Sequence, residues 1–183
     1  MKKLFIVLIF TATAFNLAAQ EGPINWMTLE EALTAQQKEP RKIIMDAYTN
    51  WCGPCKMLDK NTFHNKDLAD YVNKNYYAVK FNAEGNTDVT FQGRTFSNPN
   101  YDASRSNSRN SQHELATYLG VNAYPTIIFL DEKGSLLFPL KGYHDPNQLE
   151  LFLKLFVGDK YKEITTQEQF AKFQKDFVPE FQL

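Results

Sequence analysis

The sequence predicts an α/β domain with a central mixed β-sheet flanked by helices. Three observations carry this. Helix-like and strand-like stretches alternate along most of the chain. Both cysteines fall in one Cys-x-x-Cys, Cys52 and Cys55, where an apolar run gives way to a helix. Late in the chain, two strand-like runs meet across a short polar turn. The order is helix, strand, helix, strand, helix, hairpin, helix.

Each element has a local reason. Thr28-Leu29-Glu30-Glu31 has the Ser/Thr-x-x-Glu form of a capping box, which predicts a helix over 29–38, interrupted at Pro40-Arg41. Lys42 to Tyr48 is a short, largely apolar run with Asp46 inside it, as expected of a central strand. A helix should begin at the cysteines. Residues 65–74 read as a further helix with Leu68, Tyr71 and Val72 on one side, and 76–81 as the next strand. Residues 112–119 read as a helix ended by Gly120. Runs 126–130 and 136–141 form a hairpin across Asp131-Glu132-Lys133-Gly134; Pro139, which lacks an N–H, belongs on an edge or a bulge. Residues 147–157 close the pattern with a helix.

Residues 1–19 read as a secretory signal: Lys2 and Lys3, an apolar stretch from Leu4 to Ala14, and Leu17-Ala18-Ala19 before a cleavage point at Gln20. The apolar stretch is shorter than the ~20 residues of a spanning helix, so no stable membrane anchor is expected after cleavage. Residues 20–183 fit one domain. Without Lys2 and Lys3, 18 basic side chains face 21 acidic ones, which offers no basic footprint for nucleic acid. With two cysteines in all, there is no separate structural disulfide, and packing must hold the fold. An exported chain with a lone Cys-x-x-Cys suggests redox work, although the residues alone also fit a permanent small-loop disulfide.

The element order together with Trp51-Cys52-Gly53-Pro54-Cys55-Lys56, Asp46 six positions before the first cysteine, Lys80 in the next strand, Tyr124-Pro125-Thr126 before the hairpin and Gly142 after it resembles the thioredoxin superfamily. The resemblance covers about 26–157, and the stretch from Lys56 to Phe81 is most similar to exported bacterial thioredoxin-like proteins. It implies a thioredoxin fold with an inserted segment, about 84–111, between the second core strand and the following helix, and an extra C-terminal helix within 158–183.

It also implies roles. Cys52 is the nucleophile, favoured as thiolate at a helix N-terminus, and Cys55 is the more buried resolving thiol. Asp46 is the buried acid that exchanges a proton with Cys55, and Lys80 is its partner from the adjacent strand. The alternative is that Asp46 points to a solvated strand end and Lys80 is a surface lysine. Trp51, Gly53 and Pro54 form the rim around the thiols; Tyr124 and Pro125, joined by a cis bond, face the substrate backbone. No cofactor is invoked. Three isolated histidines, His64, His113 and His144, read as surface or hydrogen-bonded core residues rather than zinc ligands.

Within the insertion, Val89 to Phe96 reads as a small hairpin turning at Gln92-Gly93, followed by a polar loop over 97–111. Leaving the sheet at the end that presents the cysteines, the insertion either brings Phe91, Phe96 and Tyr101 to a partner-binding rim or packs as a passive decoration of the core; the sequence leaves both open. In the tail, Thr166 caps a helix whose Phe170, Phe173 and Phe177 repeat at near-helical spacing and pack on the domain. The function expected is an exported, periplasmic thiol–disulfide oxidoreductase that reduces other exported proteins and is recharged by a membrane-bound electron donor. A disulfide oxidant or isomerase is the nearest alternative, and a non-catalytic, chaperone-like binding module the alternative from another class.

Overall fold

The computed structural model describes residues 23–183. The expected leader at 1–19 and its cleavage site lie outside them. The chain follows β1 (Trp26–Met27), α1 (Leu29–Lys38), β2 (Lys42–Tyr48), α2 (Gly53–Leu58), α3 (Lys66–Asn75), β3 (Tyr76–Asn82), β4 (Val89–Phe91), β5 (Arg94–Phe96), α4 (Glu114–Tyr118), β6 (Thr126–Leu130), β7 (Leu136–Lys141), α5 (Pro146–Val157) and α6 (Gln167–Asp176). The main sheet runs β1-β3-β2-β6-β7, and β4-β5 forms a separate hairpin. β2 pairs parallel with β3 and antiparallel with β6, so the sheet is mixed.

Capping accounts for the helix starts. Thr28 and Glu31 form the expected box at α1, Asn65 caps α3, and Asp145 with Gln148 boxes α5 behind Pro146, whose missing N–H costs nothing in a first turn. α2 widens into a π-helical turn over Asp59–Phe63, a local feature often found beside functional sites. The helix expected at 112–119 is shorter: His113 is its N-cap, its ring accepting the Leu115 amide, so helical residues begin at Glu114.

Alternation along the strands sends two hydrophobic sets to opposite faces. Ile43, Met45, Ala47, Val79 and Phe81 pack with α1 and α4, while Ile44, Ala78, Ile127 and Phe129 pack with α2, α3 and α5. Pro139 lies on edge strand β7, as expected.

The insertion takes the core-packing reading for two of its three aromatics. Its hairpin turns at Gln92-Gly93, both with positive φ (51° and 76°), a backbone that glycine adopts without strain. Phe91 and Phe96, however, are not on a rim. They are 1% and 2% exposed and belong to the core on the α1/α4 face. The hairpin thus extends the core, and only Tyr101 of the three aromatics stays half-exposed.

The tail packs on the domain. Phe170 and Phe173 are partly buried against the α5 face. Glu150, fully buried on α5, accepts the Glu180 and Phe181 amides at 2.9–3.0 Å, and Asp67 accepts the Gln182 amide at 2.8 Å. Among the described residues no helix is long and apolar enough to cross a membrane.

Candidate active site

β2 delivers the chain to the site. Beyond Tyr48 it turns through Thr49, whose carbonyl accepts the Cys52 amide at 3.2 Å. Cys52 is the N-cap of α2; its Sγ accepts the Cys55 amide at 3.1 Å, a contact that places the sulfur against a helix N-terminus. Pro54 occupies the first turn, where no intrahelical bond is lost. Cys52 and Cys55 form a disulfide with 5.3 Å between Cα atoms.

Cys55 was expected to be the more buried of the two, but exposure is 4% for Cys55 and 2% for Cys52. What separates them is direction. Cys55 lines a pocket of about 300 Å³ with Asp46, Asp59 and Lys80. Cys52 lines a groove of about 660 Å³ on the other side, with Trp51, Pro54 and Tyr124.

The first pocket follows from strand register. Parallel pairing sets Asp46 beside Lys80, and alternation turns both side chains to the α2 face. Asp46 is 1% exposed. Lys80 Nζ lies 2.9 Å from its Oδ2, an ion contact without hydrogen-bond alignment, and neither carboxylate oxygen has a hydrogen-bond partner among the described residues. Burial raises the Asp46 pKa; Lys80 opposes the rise, and the nearby Asp59 adds to it. For Lys80, burial disfavours the ammonium, but Asp46 and Asp59 together outweigh it and hold the pKa above its ordinary value. Lys80 donates to Asp59 Oδ1 at 2.6 Å, and its ammonium lies 4.5 Å from the Trp26 ring centre and 5.2 Å from that of Phe63.

On the Cys52 side, Trp51 is held in place. Its Nε1 donates to Glu84 Oε2 at 2.7 Å, its ring meets Tyr124 edge-on at 6.0 Å, and the Arg109 guanidinium lies 4.9 Å from its centre. Glu84 Oε2 also accepts the Asn110 amide at 2.8 Å, so one buried carboxylate ties the cysteine loop to the insertion. Burial, then the Glu84 charge, pushes the Tyr124 pKa up to about 12. The Tyr124–Pro125 bond is cis, as expected, and the Pro125 carbonyl accepts the Gly142 amide at 2.8 Å. Gly53 and Pro54 are exposed at the top of the site.

The disulfide is thus flanked by Asp46 and Lys80 in one pocket and by Trp51, Pro54 and Tyr124 in the other; Gly53 lies between its two cysteines, and Pro125 follows Tyr124 through the cis bond. Sequence reasoning missed three others. Asp59 had a readable signal, standing four residues after Cys55 on the same helix. Glu84 and Arg109 carried none, since each is a single charge in irregular chain. Among the described residues, no group of three or more His, Cys, Asp or Glu is arranged to hold a metal ion.

Comparison with known proteins agrees with this geometry. A family profile described as a thioredoxin-like domain matches residues 29–156. The thiol:disulfide interchange protein DsbD of Actinobacillus pleuropneumoniae is 28% identical over 140 residues, which is 75% of this chain but 20% of that protein's length. A candidate disulphide-isomerase from Bacteroides thetaiotaomicron is 30% identical, with a TM-score of 0.50 over 73% of this chain and 91% of its own. A thioredoxin-fold protein from Helicobacter pylori has the same fold, with a TM-score of 0.56 at 20% identity over 74% of this chain and 81% of its own.

Proposed function

The chain belongs to the family of thioredoxin-like domains, a thiol–disulfide oxidoreductase by its fold and cysteine pair, and from that premise we propose that it reduces disulfides in other exported proteins. The observation that carries this is the division of the site. Cys52 opens on a groove able to receive a substrate, and Cys55 opens on the pocket that holds Asp46.

In the reduced protein, the Cys52 thiolate is stabilised by amides at the start of α2. It attacks one sulfur of a substrate disulfide, forming a mixed disulfide and expelling the other substrate sulfur as thiolate. Asp46, ionised, takes the proton from Cys55. The Cys55 thiolate then attacks Cys52 Sγ, closing Cys52–Cys55 and releasing the second substrate thiolate. Two electrons pass to the substrate, and both of its sulfurs leave as thiols once protonated. Asp46 is suited to relay that proton because burial makes its charged form costly, so it holds a proton readily, while Lys80 keeps ionisation within reach. Tyr124 and Pro125 line the substrate side, with Trp51, Gly53 and Pro54 as the rim.

A cycle of this kind needs two electrons per turnover from a dithiol donor. In an exported compartment we take that donor to be a membrane-bound protein; the similarity to a thiol:disulfide interchange protein supports dithiol exchange as its chemistry. The 30% identical candidate isomerase favours a second reading in which the pair oxidises or reshuffles disulfides.

Redox titration against glutathione or dithiothreitol, combined with insulin reduction, decides between them. A potential near about −270 mV with turnover of insulin supports a reductant; one near about −120 mV reverses the direction of flow. Retention of partner binding and of all activity in the Cys52→Ser, Cys55→Ser double variant would instead mark a non-catalytic binding module.

A further inference from the structure

We infer that Arg109, carried in by the insertion, selects disulfide substrates that bear a carboxylate beside the cysteine. The inference rests on the oxidoreductase reading above and adds a specificity determinant to the same site.

Four observations converge. Arg109 lines the groove that Cys52 opens on, with its guanidinium carbon over the Trp51 ring, 4.9 Å from the ring centre. A guanidinium over a ring keeps edge N–H groups free for a bidentate carboxylate. Among the described residues, no carboxylate stands within ion-pair distance of Arg109, and the residue is exposed. Glu84, which also lines the groove, is 8% exposed and already accepts the Trp51 Nε1–H and the Asn110 amide through one oxygen.

Arg109 is also held in position. Asn110 is fixed on several sides: its amide bonds Glu84, its side-chain amide donates to the Asp102 carbonyl at 2.8 Å, and its Oδ1 accepts the Asp102 and Ser111 amides at 3.0 and 2.9 Å. A residue next to so anchored a backbone presents its side chain with little ordering cost on binding. The result is one accessible positive charge at a fixed place on the substrate side of the thiols.

The test uses three peptides that differ at one position, each closing a single disulfide, with Glu, Gln or Lys beside the first cysteine. Pre-reduced protein is mixed with each peptide, the reaction is quenched in acid, and released thiol is quantified.

Wild type should favour Glu over Gln, and Gln over Lys, each by about two- to fivefold at low salt, the span of an exposed ion pair. The spread should shrink as salt screens it. Arg109→Ala should bring the Glu-to-Lys rate ratio toward one, and Arg109→Glu should invert it. Arg105→Ala, on the same loop but outside the groove lining, should keep the wild-type ratio.

Equal rates for all three peptides with wild type would overturn the inference and leave the oxidoreductase reading standing. So would a ratio that survives Arg109→Ala. If wild type reduces none of the peptides, the reductant reading fails and the inference falls with it.

Discussion

Asp46→Asn tests how the molecule tolerates a charge beneath its disulfide. In the folded protein the Asp46 carboxylate is 1% exposed, lacks hydrogen bonds to either oxygen, and has one ammonium at 2.9 Å. At an effective dielectric of about 20 that contact is worth about 4–6 kcal/mol, less than the cost of taking two ions out of water. Substitution does not strand Lys80, because Asp59 remains 2.6 Å from its Nζ. We therefore expect Asp46→Asn to stabilise the oxidised protein by about 1–3 kcal/mol at pH 8, or about 2–4 °C in Tm per kcal/mol.

The pH dependence has a definite sign. Asp46 has a folded-state pKa above its unfolded value of about 3.9. Wild type thus has its full share of stability from this group below the unfolded pKa and loses it as pH rises through the folded one. Asparagine does not titrate. The advantage of the variant should be near zero at pH 4 and grow to a plateau at alkaline pH, as read by urea denaturation of both proteins at each pH. A variant that is less stable than wild type at pH 8, or an advantage independent of pH, would refute the account of a poorly compensated buried carboxylate.

Other substitutions test the remaining parts of the structure. Phe91→Ala and Phe96→Ala should each destabilise by about 3–5 kcal/mol in urea titrations, because both rings fill the core, whereas Tyr101→Ala should cost less than about 1 kcal/mol. Glu84→Gln should lower the Tyr124 pKa from about 12 toward 10, leaving the part due to burial, as seen in a difference titration of tyrosinate absorbance. Glu150→Gln should loosen Glu180 and Phe181, whose amides lose their charged acceptor, and speed hydrogen exchange there with little change at the cysteines.

Where the fold was legible in sequence, the signal was local. The capping box at Thr28, the two-residue turn at Gln92-Gly93 and the aliphatic run from Thr126 each specify their element through neighbours in the chain. β1 was invisible because two residues, Trp26 and Met27, become a strand only by pairing with Ala78 and Val79, about fifty positions away. The ambiguity over Phe91 and Phe96 has the same origin. An aromatic in a polar insertion looks the same whether it faces a partner or the domain's own core, and only the position of the hairpin against α1 decides. The site divides likewise. Cys52 and Cys55 were readable from their spacing, while Asp46, Lys80 and Pro125 were readable only through the family resemblance; strand register then accounts for Asp46 meeting Lys80. Glu84 and Arg109 reach the site through irregular chain, where spacing says nothing about direction.

The family match stops at residue 156, yet the packed body does not. Phe170, Phe173 and Phe181 lie against the outer side of α3 and α5, and the last residues are tied down by Glu150 and Asp67 on those helices. A fragment cut at the family boundary would expose Tyr71 and Phe152 to water and leave Glu150 without its amide partners. The smallest unit of this protein that can be excised without baring a sticky, charge-scarred flank is therefore longer than its fold requires, and tags or fusions are better placed beyond Leu183 on a spacer than in place of the tail.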